Sequence, residues 1–167
     1  MGVRAFTPSS CALFKRFSLT MLYIGSDHRG FKLKEELQDW LLENKYELRD
    51  VGASSYNKED DYPLISAELG RLVSSDEINK GILLCGSGMG ASAAVNKIKG
   101  IRGSVGFDEN QTKAGRHDDD INVLVIATDY TSLEEAKKLV QAFLETNFDG
   151  ETERYRRRIE QIHNLER

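Results

Sequence analysis

Cysteine, proline and tryptophan are scarce in this chain: two, two and one among 167 residues. Each scarcity removes a class of protein. Cys11 and Cys85 cannot build a disulfide framework, so a reducing, cytoplasmic setting is expected. A chain of this length can bury a core without such staples. Pro8 and Pro63 leave the stretch from Met21 onward poor in linkers, which argues for one domain. No apolar run approaches the roughly 18 residues of a membrane span. Basic residues number 23 against 27 acidic ones, a net charge of −4, so the chain carries no overall nucleic-acid footprint. His117 is followed by Asp118, Asp119 and Asp120, but one histidine and consecutive acids lack metal-ligand spacing, and no metal is expected.

Residues 1–20 contain no acid, several Ser and Thr, and Arg4, Lys15 and Arg16. They read as an extension, either disordered or a weak organellar targeting segment, without the apolar block of a secretory signal. The folded domain is expected over 21–167.

From Met21 the pattern alternates. Met21–Gly25 is a short apolar run that stops at polar residues, a buried strand. Leu33, Leu37, Trp40 and Leu41 then mark a helix from about Phe31 to Asn44. A strand over Tyr46–Val51, a helix over Leu64–Ser74 and a strand over Gly81–Cys85 follow. Next come a helix through Lys99, a strand over Ile101–Gly106, a short helix over Asn110–Gly115 and a strand over Asn122–Ala127. Leu133, Ala136, Val140, Phe143 and Leu144 mark a fifth helix, and a charged helix over Glu151–Glu166 ends the chain. Such alternation implies an α/β fold: a single Rossmann-like, doubly wound, five-stranded parallel sheet with helices on both faces and a C-terminal charged helix.

Ligands of such sheets gather beyond the carboxyl ends of the strands. There the sequence places Asp27 and His28 after strand one, and Cys85-Gly86-Ser87-Gly88-Met89-Gly90 after strand three. Glycines at alternate positions let backbone N–H groups converge on an anion. A thiol at the start of the following helix is expected to have its thiolate favoured, although cysteine at a strand end also serves as a small buried hydrophobe. Asp27 could equally cap a helix, and His28 could be a solvated turn residue. Gly86 to Ala91 also satisfies a relaxed dinucleotide fingerprint, although on the third strand and with too little chain beyond it for a substrate domain. Arg154 and Arg158, four apart, share a helix face and could grip a phosphate or simply be solvated.

Gly25-Ser26-Asp27-His28-x-Gly30-Phe31-x-Leu33-Lys34 resembles the opening of the ribose-5-phosphate isomerase B and galactose-6-phosphate isomerase family. So do Asp61-Tyr62-Pro63, Gly81 to Gly90, Asn96-Lys97, Gly100-Ile101-Arg102 and Asn122-Val123-Leu124, in the same order to the end of the chain. The resemblance implies an aldose–ketose isomerase of pentose phosphate metabolism, working without metal or organic cofactor through a cis-enediolate. It implies Cys85 as the base, and Ser87 with the backbone of Gly86, Gly88, Met89 and Gly90 around the enediolate oxygen. Asp27, His28 and Tyr62 would bind the sugar, and Arg154 and Arg158 the phosphate. Homodimers sharing their active sites, or dimers of such dimers, are implied as well.

Two segments depart from the family pattern. Asp118 stands where the family carries a ring-opening histidine, with Asp119 in place of its asparagine and His117 one residue early. Asp129 stands where the family tends to have a phosphate-contacting arginine. Asp118 or His117 could replace the ring-opening group. A six-carbon sugar phosphate as substrate, a non-catalytic sugar-phosphate or nucleotide binder, and a redox nucleotide enzyme remain alternative readings.

Overall fold

The apolar runs form a five-stranded, all-parallel sheet in the computed structural model, which describes residues 21–166. The extension expected over residues 1–20 lies outside the described residues. In chain order the elements are β1 (Leu22–Ser26), α1 (Phe31–Glu43), β2 (Leu48–Asp50), α2 (Tyr62–Val73), β3 (Lys80–Cys85) and α3 (Met89–Val95). They continue with β4 (Gly103–Val105), α4 (Glu109–Asp119), β5 (Val123–Ala127), α5 (Leu133–Glu145) and α6 (Glu153–His163). The strand order is β2-β1-β3-β5-β4. From β1 the chain moves outward to β2 and then crosses to the other side as β3, so order reverses between β1 and β3. Their carboxyl ends frame the crevice where ligands of such sheets bind.

Side-chain alternation assigns the two faces. Leu22 and Ile24, Ile82 and Leu84, and Leu124 and Ile126 meet Leu37 and Leu41 of α1 and Val140 and Phe143 of α5. Tyr23, Leu83, Cys85, Val123 and Val125 point the other way, onto Leu69 and Val73 of α2 and Ala91 and Val95 of α3. At about 25 cal/mol per Å² of apolar surface, each buried Leu or Ile contributes roughly 1.5–3 kcal/mol, so these two layers hold the fold. Cys85 therefore hangs from the α2/α3 face at the end of the central strand.

Several boundaries differ from the sequence expectation. α2 begins at Tyr62 rather than Leu64, because Pro63 fits a first helical turn. α3 stops at Val95 rather than Lys99. The Asn96 side chain folds back there, donating to the carbonyls of Ser92 and Gly103 (both 2.8 Å) and accepting the Gly103 N–H at 2.9 Å. α4 runs to Asp119 rather than Gly115: Asp108 caps its start through the Gln111 N–H (2.8 Å), and the buried Arg116 anchors its far end. α4 is polar along its length, so apolar periodicity does not mark where it ends. Its extension carries Asp118 and Asp119 onto a helix.

Candidate active site

The site grows from the first β–α turn. Asp27, 4 % exposed, turns its carboxylate back on its own loop, where Oδ1 accepts the N–H groups of Arg29 and Gly30, both at 3.1 Å. Its other oxygen, Oδ2, accepts the thiol of Cys85 at 3.0 Å across the β1–β3 crevice. The Asp27 N–H also reaches the Leu84 carbonyl at 3.4 Å, so the two strand ends are tied twice. Asp27 thus faces the sulfur in addition to ordering the turn.

The glycine loop wraps the same sulfur. Gly88 has φ +72°, a left-handed conformation that glycine adopts without strain, and it sits where α3 begins. The N–H groups of Gly86 and Gly88 both hydrogen-bond the sulfur and favour its thiolate. Burial and the Asp27 carboxylate oppose them and win, pushing the thiol from its ordinary value up to about 11. The expectation of a favoured thiolate is reversed in the resting site: the sulfur carries a proton and donates it to Asp27. Ser87 and Met89 are exposed at the rim, and Tyr62 lies over Gly90, where an added Cβ would come within 2.6 Å of its ring. At Gly86 an added Cβ would collide with the Arg29 side chain, which covers that residue and stands where a pyrophosphate would approach a dinucleotide fingerprint.

His28 is held by a residue the sequence reading missed. Asp60 Oδ1 takes both the backbone N–H of His28 (3.0 Å) and its ring Nδ1 (2.7 Å), with the ring edge-on to Tyr56. This leaves Nε2 as the open ring nitrogen. The adjacency of Asp60 and Asp61 was the available signal: Asp61 is the N-cap position of α2, which frees Asp60 for another task.

The remaining candidates lie elsewhere in the chain. α4 returns from the carboxyl to the amino edge of the sheet, so Asp118 and Asp119 sit at the far end from Cys85, roughly one strand length or about 17–20 Å away. α6 crosses that same amino edge, with Tyr155 edge-on to His117 near its start and His163 3.3 Å from Arg102 at its end. Arg154 and Arg158 are exposed on it. Asp118 Oδ1 and His117 Nδ1 are paired at 2.7 Å. His117, then Tyr155 and Arg154, hold the Asp118 carboxyl below its ordinary range, so it stands ionised. Within one chain the structure brings together Cys85, Asp27, His28, Tyr62 and Gly86–Gly90, and leaves Asp118, Asp119, Arg154 and Arg158 at the opposite edge. Among the described residues no group of three or more His, Cys, Asp or Glu is arranged to hold a metal ion, and no helix is long and apolar enough to cross a membrane.

Comparison with known proteins gives the family of the chain. Residues 22–162 match the family model described as Ribose/Galactose Isomerase. The ribose-5-phosphate isomerase B of Escherichia coli (strain K12) is 37 % identical over 142 residues, 85 % of this chain and 93 % of that protein. The probable ribose-5-phosphate isomerase B of Mycoplasma pneumoniae is 35 % identical over 129 residues, 77 % of this chain and 85 % of that one. Among solved structures, a ribose 5-phosphate isomerase from Thermotoga maritima superposes with a TM-score of 0.82 at 35 % identity, covering 87 % of this chain and 99 % of its own. The ribose-5-phosphate isomerase B of Mycoplasma genitalium with bound ribulose-5-phosphate also gives 0.82, at 32 % identity, over 87 % of this chain and 95 % of that one.

Proposed function

The chain belongs to the ribose/galactose isomerase family, and from that membership we propose that it interconverts ribose 5-phosphate and ribulose 5-phosphate, with Cys85 moving the proton. The observation that carries the mechanism is the Cys85–Asp27 contact at 3.0 Å in the crevice where strand order reverses. The thiol passes its proton to Asp27 Oδ2, and the thiolate left behind is held by the N–H groups of Gly86 and Gly88. The thiolate then takes the proton from C2 of the open-chain aldose. The electron pair forms the C1–C2 double bond, and charge develops on O1. Backbone N–H groups at the start of α3, unpartnered within a helix, with the Ser87 hydroxyl, stabilise that oxygen. Return of the sulfur's proton to C1, with transfer of the O2 proton to O1, yields the ketose.

Asp118, Asp119, Arg154 and Arg158 join this chemistry only from a second copy, whose amino edge faces the Cys85 edge of the first. Phosphate binding by Arg154 and Arg158, and handling of the ring-opening proton by the ionised Asp118, therefore require a homodimer with shared sites. A six-carbon sugar phosphate is the second reading. It is favoured by the carboxylate that stands where the family has its ring-opening histidine.

The test is turnover of ribose 5-phosphate by the purified full chain, with formation of ribulose 5-phosphate followed directly. Cys85→Ala is expected to lower kcat/KM by about 10²–10⁴-fold, the usual contribution of a positioned acid–base group. Undiminished turnover in that variant refutes the thiolate's role. Turnover confined to six-carbon substrates selects the second reading.

A further inference from the structure

A phosphate dianion near the Cys85 loop needs a cation at that edge of the sheet. Among the described residues, Arg71, Arg102, Arg116, Arg154, Arg156, Arg157 and Arg158 all lie toward the amino edge, and Arg49 is within β2. Arg29 is the one arginine on a carboxyl-edge loop. Its side chain lies across Gly86, and its Nη2 forms an ion pair with Asp129, on the loop after β5. The two side chains are 53 % and 33 % exposed, so the pair is open to solvent. Asp129 in turn donates its N–H to the Gly86 carbonyl (3.0 Å), and Thr128 donates its hydroxyl to the Arg29 carbonyl (3.2 Å). Three loops, from β1, β3 and β5, thus aim one guanidinium over the first residue of the glycine loop. The Nε and Nη1 donors of that guanidinium have no partner among the described residues.

Resting on the sugar-phosphate reading above, we propose that Arg29 is the phosphate ligand supplied from within the chain, and that Asp129 is its resident counter-ion. The carboxylate holds the guanidinium in place while the site is empty. An arriving phosphate dianion takes the open Nε/Nη1 donors and competes with Asp129 for the third. The two members of the pair then have opposite effects on phosphate affinity: Arg29 attracts the dianion and Asp129 repels it. A pair that only stitched loops together would make both truncations act alike.

Inorganic phosphate serves as the probe, titrated into the full chain by calorimetry and tested as a competitor of ribose 5-phosphate. Arg29→Met is expected to weaken phosphate about tenfold or more, the loss of charge-assisted hydrogen bonds. It should raise KM for ribose 5-phosphate with a smaller change in kcat. Arg29→Lys should recover part of the loss, and Asp129→Asn should tighten phosphate several-fold. Circular dichroism melts report whether each variant is folded. Equal weakening by Arg29→Met and Asp129→Asn, or phosphate affinity indifferent to Arg29→Met, overturns the proposal. Phosphate binding is read without turnover. Wild-type protein that binds phosphate through Arg29 but leaves ribose 5-phosphate unchanged therefore refutes the isomerase reading alone.

Discussion

The Cys85 sulfur answers to opposed influences. Burial and the Asp27 carboxylate hold its proton on, while two backbone N–H groups favour its loss. Replacing the carboxylate by an amide removes the charge that helps raise its pKa and leaves burial in place. In a Cys11→Ser background, where a single thiol titrates, Asp27→Asn should therefore move the thiol's titration below about 11. Thiolate absorbance, or alkylation rate against pH, reads this directly. Loss of isomerisation despite the more acidic thiol would show Asp27 to be the proton's acceptor. His28 shows the limit of reading single residues from sequence: its candidacy was legible from its place after β1, but its partner Asp60, 32 positions away, became visible only when the loop closed.

Buried charge decides how one element holds its neighbour. Lys34 of α1 is fully buried, with its ammonium paired to Asp50 at the end of β2 and 5.1 Å from the Phe31 ring. Asp50 also accepts the Gly52 N–H at 2.8 Å, so the pair anchors the start of the loop that carries Asp60. Lys34→Met leaves that carboxylate without its cation, and removal of one partner from a buried ion pair costs about 3 kcal/mol. Urea unfolding should register that loss, and KM should rise as the Asp60 loop loosens. A mere packing role for Lys34 would leave stability near wild type, since methionine fills similar volume. The strands and the amphipathic helices α1, α2 and α5 were legible because burial imposes a period of two or 3.6. α4 was legible only in its first half, because its buried residues are Thr112 and Arg116, and no hydrophobicity pattern extends a helix held by a buried guanidinium. The Cys85 crevice was legible from strand ends. The separation of Asp118 and Arg154 from it was not, since only the direction of α4 fixes which edge they occupy.

At the scale of the whole molecule, two groups tie stability to alkaline pH with opposite signs. Burial, then the Arg116 guanidinium, lowers Lys80 to about 8, so between about 8 and its ordinary value the unfolded chain holds a proton that the folded one does not. Stability from this source rises with pH across that window. Cys85, raised to about 11, keeps a proton when folded that the unfolded chain loses above its ordinary value, so its contribution falls over that higher window. Wild-type stability is expected to climb just above pH 8 and then to level off as the two oppose each other. Lys80→Met should abolish the climb and Cys85→Ala the later decline, both readable as midpoints of denaturant unfolding against pH. A wild-type curve unaltered by Lys80→Met would show that this lysine stays charged in the fold.

The two outermost strands, β2 and β4, are three residues each, against five or six for the inner three. Such brief rims expose too few free backbone groups to template a neighbouring chain. Crowded solutions of this protein should accordingly resist fibril growth through continuous sheets. That leaves helix faces and the two ends of the sheet as the surfaces open to association.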